Sequence, residues 1–205
     1  MWPSSSSLAR IAFFHRSKMT RLSRTLLVAS LLGLFPTGLL LPIYAIFVKN
    51  IGGDILDAGI AYGLFSISSG VFVLVVTKTH FFKTHLRGMV VLGYTLVTLG
   101  QLGYFLVETP LHLFITQVII GIATGLLDPS WDSLFSFGKN EADAVRSWSL
   151  WSGGQRIVTG FGAMAGAFVV GAYSFTLLFG IMFVFNLLAV FISLRLFLKE
   201  KYSSP

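Results

Sequence analysis

Six long stretches of this chain pass with no charged side chain or only one: 25–48, 58–77, 89–107, 109–127, 147–172 interrupted by Arg156, and 176–194. A helical membrane crossing needs about 20 predominantly apolar residues, so each stretch is long enough to span. In lipid only helices and closed barrels satisfy every backbone group. Barrel strands alternate in polarity, whereas these runs are continuously apolar. The chain therefore reads as all-α, a polytopic membrane protein of six transmembrane helices at about 25–48, 57–77, 88–107, 110–135, 146–171 and 175–198. A basic arm, 1–24, precedes the bundle, and a short tail, 199–205, follows it. Only 11% of the 205 residues are charged, against about a quarter in soluble domains, which leaves no room for a sizeable catalytic domain outside the membrane.

The net charge of +7 raises the question of a nucleic-acid partner, and the placement of the basic residues answers it. Arg10, Arg16, Lys18, Arg21 and Arg24 fall in the arm, Lys78, Lys83 and Arg87 in the second loop, Lys139 and Arg146 in the fourth, and Arg195, Lys199 and Lys201 at the C-terminal end. The odd-numbered loops carry Lys49 alone, beside Asp54, Asp57 and Glu108. Such asymmetry is the positive-inside pattern. It predicts cytoplasmic termini in a plasma (inner) membrane and a lipid rather than nucleic-acid environment. Residues 1–24 lack the apolar core of a cleavable signal, so the first span serves for targeting. The arm reads as a tail, as a segment lying on anionic lipid, or as an upstream extension of a chain starting at Met19. With no Cys in the sequence, disulfides and thiolate metal sites are excluded.

The sequence echoes itself. Thr37-Gly38-Leu39-Leu40-Leu41-Pro42 in the first span recurs 87 residues later as Thr124-Gly125-Leu126-Leu127-Asp128-Pro129 in the fourth, with Tyr44 and Trp131 following at the same offset. A three-helix unit repeated once is inverted in its second copy, the building plan of many secondary transporters.

The stretch from Leu41-Pro42-Ile43-Tyr44 through Gly52-Gly53 to Ala58-Gly59-Ile60-Ala61-Tyr62-Gly63, then Gln117 to Gly125 and Gly154 to Gly166, resembles the N-terminal six-helix half of a major facilitator superfamily (MFS) transporter. The resemblance covers roughly residues 25–198. It implies two inverted three-helix repeats, with the first and fourth helices lining a central cavity and the second and fifth facing another half. Two positions depart from the family pattern. The loop from Lys78 to Gly88 has no acid, and Gln117 stands where the fourth helix often carries Arg. The family normally has twelve spans, so half of that number calls for a homodimer or a separate second half, or else marks a truncated relic.

Asp128 and Asp132 lie four apart and share one helix face. At the bilayer centre an ionised Asp costs about 2.5 to 3.5 kcal/mol, so these two need a polar cavity or a partner. Folding the fourth and fifth spans into a hairpin brings Arg156 near Asp128, as an ion pair or as a charge that handles substrate or protons. Gln117, Thr124 and Trp131 complete the candidate substrate- or proton-binding set. Gly59, Gly63, Gly70, Gly121, Gly125, Gly160, Gly162 and Gly166 form small-residue faces suited to helix packing or to a partner.

No hydrolase, zinc or phosphate-loop motif is present in the sequence, so no enzyme, metal or cofactor is expected. The resulting expectation is a half-size MFS-like secondary transporter of a small organic solute, acting as a dimer with alternating access. The alternative is a non-transporting membrane subunit or scaffold that docks another membrane protein.

Overall fold

A computed structural model describes residues 19–137 and 139–198; most of the N-terminal arm and all of the tail lie outside them. The helices are α1 (Arg21–Leu40), α2 (Tyr44–Asn50), α3 (Ile55–Val76), α4 (His80–Thr84), α5 (Leu86–Leu102), α6 (Pro110–Ser136), α7 (Glu141–Ala172) and α8 (Phe175–Leu198). Short 3-10 turns, Leu41–Ile43 and Gly103–Leu106, follow α1 and α5. Among the described residues the protein is thus all-α.

Side chains that accept orphan backbone N–H groups set most helix starts. Thr20 accepts from the Ser23 N–H at 3.1 Å, Thr109 from His112 at 3.4 Å, and Asn140 from Asp143 at 2.9 Å. Asp54 and Asp57 cap α3 reciprocally: Asp54 accepts from the Leu56 and Asp57 N–H groups, and Asp57 accepts from the Asp54 N–H at 2.9 Å. Just before this cap the chain turns through Gly52 at φ +82°, a left-handed conformation that favours glycine.

Five stretches are long and apolar enough to cross a membrane: Arg21–Asn50, Ile55–Val76, Leu86–Leu106, Pro110–Ser136 and Phe175–Leu196. The remaining long helix of the six expected is α7, which falls outside this group by composition and not by length. The fifth long helix, α7, has 32 residues, enough for about 48 Å at 1.5 Å per residue, but Gln155, Arg156 and its many Gly and Ser residues lower its apolarity. The structure starts α7 at Glu141, in front of the apolar run, because Asn140 caps it there.

The packing follows a reciprocal plan. The first repeat is α1, α3 and α5, and the second is α6, α7 and α8. The second helix of each repeat packs on the first helix of the other, α3 on α6 and α7 on α1. The third helices pack on each other and on the first helices, α5 on α6 and α8 on α1. Helices α3 and α7 end this arrangement and are the least covered. Only Ala58 and Ala61 of α3, and Ser147, Gly162 and Gly166 of α7, are buried.

The echoed motif sits at the two reciprocal crossings. A Cβ on Gly38 would lie 2.7 Å from the Thr159 carbonyl oxygen of α7, and one on Gly125 would lie 2.6 Å from the Ser69 carbonyl oxygen of α3. Glycine is required there because the neighbour is rigid backbone. Gly121 meets Phe65 and Ser68, while Gly162 and Gly166 meet the backbone of Phe35, Gly38 and Leu39. Four residues after each echoed glycine comes a proline, which has no N–H to give to the glycine carbonyl. At Pro42 the α-helix gives way to a 3-10 turn, whereas α6 runs through Pro129 without interruption.

Gly59, Gly63, Gly70 and Gly160 behave differently: a Cβ on any of them would meet nothing within 4 Å. These four do not mediate packing inside the chain. Gly38→Ala and Gly125→Ala are expected to destabilise by about 1–3 kcal/mol through overpacking. Gly63→Ala should instead be neutral or gain up to about 1 kcal/mol in helix propensity. Thermal unfolding of the three purified variants, followed by loss of the monodisperse peak, separates the two groups.

Candidate functional site

Two cavities lie between α1 and α6, stacked along them and meeting at Thr37, which lines both. One, of about 380 Å³, opens toward the end of the bundle where Lys49, Asp54, Asp57 and Glu108 lie. The other, of about 310 Å³, lies toward the end that carries Lys78, Lys83, Lys139 and Arg146. Helix α3 contributes Tyr62 and Phe65 to the first, and α7 contributes Trp151 and Gln155 to the second. The two cavities thus follow the same reciprocal plan as the helices.

The cavity at the acidic end is lined by uncharged residues. Gln117, buried on α6, donates from Nε2 to the Tyr44 hydroxyl at 2.6 Å and to the Tyr104 hydroxyl at 3.3 Å. The Tyr104 ring in turn stacks on Phe179 at 5.2 Å, within a cluster that includes Phe47 and Phe175. Two phenols and an amide are therefore held rigidly on an apolar wall.

At the basic end the cavity carries Asp128 and Asp132, both exposed, together with Ser30, Tyr94, Thr124, Trp131 and Asn186. Trp131 is buried and donates its indole N–H to the Leu26 carbonyl at 3.1 Å, which ties α6 to α1. Its ring stacks on Phe135 at 4.4 Å and packs on Trp151 and Trp148 at 5.4 and 6.0 Å. On the Phe135 member of this cluster rests the Lys139 ammonium, 3.4 Å from the ring centroid. Burial holds that ammonium below its ordinary pKa, with nearby Asp143 acting in the opposite sense.

Between the cavities, Asn186 of α8 donates to the Gln101 side-chain oxygen at 2.7 Å and to the Met182 carbonyl at 3.1 Å. Both amides are buried. Gln101 lines the first cavity and Asn186 the second, so their hydrogen bond forms part of the dividing wall. Among the described residues no group of three His, Cys, Asp or Glu gathers as a metal site.

The structure divides the residues that the sequence grouped together. Thr124, Asp128, Trp131 and Asp132 line one cavity, while Gln117 belongs to the other. Arg156 lines neither: it is exposed, and Asp128 faces the cavity without it. This corrects the expected Asp128–Arg156 pair. Folding the hairpin sets the depth of a residue but not its direction around the helix, and Arg156 falls outside the cavity lining. Sequence reasoning missed Tyr94, Tyr104, Gln101, Gln155 and Asn186. A lone amide inside an apolar span, such as Gln101 or Asn186, is the signal that would have found two of them.

The reciprocal bundle of long apolar helices and its two stacked cavities define a class of helical membrane protein built for transport. The model of the Major Facilitator Superfamily matches residues 25–205, and the chain belongs to that superfamily of transporters. No curated protein matches it.

Asn186→Leu should leave the Gln101 amide buried and unpaired, lowering stability by about 1–3 kcal/mol. Replacing both residues by Leu should recover much of that loss, as a double-mutant cycle on the unfolding temperature will register.

Proposed function

We propose that this bundle is one half of an alternating-access secondary transporter of a small organic solute, working against a second six-helix half that is, in the simplest case, a second copy. The observation that carries this reading is the pair of cavities that meet at Thr37, one reaching toward each end of the bundle. The two edges flanking them, α3 and α7, are apolar and little covered, and Gly59, Gly63, Gly70 and Gly160 leave them open to close approach. Superfamily halves are related by an axis along the membrane normal. A twofold dimer about that axis closes the cavities with both copies already in the correct orientation. The basic end is assigned to the cytoplasm by the positive-inside rule, which puts both termini there, in a plasma (inner) membrane.

Asp128 is assigned the solute or proton, with Asp132, Thr124 and Trp131 around it and Gln117 serving the opposite cavity. Asp128→Asn should abolish uptake by proteoliposomes while membrane insertion and assembly stay intact; uptake at the wild-type rate would remove Asp128 from the site. Native mass spectrometry from lipid nanodiscs should count two bundles per particle. A strict monomer without uptake would point instead to a subunit that docks another membrane protein.

A further inference from the structure

From the chemistry of the cavity at the basic end, and resting on the transport reading above, we infer that the solute is an organic cation. Asp128 and Asp132 project from one face of α6 into this cavity, and no Lys or Arg is among the residues lining it. Arg156, the basic residue in the middle of α7, lies outside. A neutral or anionic solute would leave protons alone to offset two carboxylates in a confined, partly apolar space. A cation neutralises them, and opposite charges attract far more strongly there than in water.

The aromatic wall has the matching chemistry. Trp131 and Trp151 line the cavity, and aromatic rings attract cations. An ammonium group already rests on this cluster: the buried Lys139 Nζ has no hydrogen-bond partner and sits 3.4 Å from the Phe135 centroid. Phe135 stacks directly on Trp131. Independently, Trp151, which lines this cavity, has a buried indole N–H without a partner, an unmet donor that a small rotation of the ring would offer to an oxygen on the solute. The opposite cavity, with its tyrosines and Gln117, has no charge among its lining residues, so the selection for charge belongs to the basic end.

Equilibrium dialysis of the full chain in nanodiscs tests this with choline, tetraethylammonium and tetraphenylphosphonium, and with 3,3-dimethylbutan-1-ol as the uncharged isostere of choline. Saturable binding of at least one cation is expected, with no competition from the alcohol. Asp128→Asn combined with Asp132→Asn should weaken it roughly tenfold or more. Gln155→Lys, which keeps both carboxylates and adds a positive charge to the same wall, should weaken it as well and guards against a folding artefact in the double variant. Absence of saturable binding by all three cations, or equal binding by wild type and both variants, would overturn the inference. Carboxylate-dependent binding without uptake into proteoliposomes would uphold the cation site and sink the transport reading. Uptake of a neutral or anionic solute with no cation binding would do the reverse.

Discussion

The bundle depends on two backbone-to-backbone crossings where a glycine of one repeat lies against the main chain of the other. At Gly38 the partner is Thr159 of α7, and at Gly125 it is Ser69 of α3. In lipid there is little hydrophobic gain in pressing one apolar helix against another, so association comes from close contact and from interhelical hydrogen bonds. Small residues permit the first. The Gln101–Asn186 and Gln117–Tyr44 bonds supply the second. Because the crossings are reciprocal, each repeat is held by its partner, and neither three-helix unit buries its own second helix.

That arrangement explains where the cavities fall. Helices α1 and α6 are each drawn toward the other repeat's second and third helices, and the space left between them is walled by apolar side chains with a few polar ones among them. Asp128 and Asp132 are tolerated in the span because they face this space and not lipid. Their placement near the basic end also gives the molecule a polarity that its near-symmetric backbone lacks: phenols and an amide toward one end, carboxylates and indoles toward the other.

Much of this was legible in the sequence. The continuous apolar runs yield the helices, and the loop charges separate the two ends. The echo at Thr37 and Thr124 marks the crossings, and Tyr44 and Trp131, at matched offsets, turn out to line opposite cavities. Asp128 and Asp132 stood out through their cost in lipid. Direction around a helix axis was the missing information. Small residues look alike in a sequence whether they pack, as Gly121 and Gly166 do, or face outward, as Gly63 and Gly160 do. The same blindness paired Arg156 with Asp128. Gln101 and Asn186 lie 85 residues apart, and only the fold brings two such isolated amides together.

The prolines that follow Gly38 and Gly125 carry a mechanical consequence. Each removes one rung from its helix, at Gly38 and Gly125, the residues next to Thr37 and Thr124. Bending stiffness falls where a rung is missing, so flexing of α6 concentrates near Gly125, whereas α1, which also carries Pro36 within it, has a further soft point at Leu32. The two joints are not equally compliant. The one at Pro42 has already relaxed into a 3-10 turn and frees Tyr44–Asn50 as a separate short lever, whereas the one at Pro129 still transmits torque along an unbroken α6.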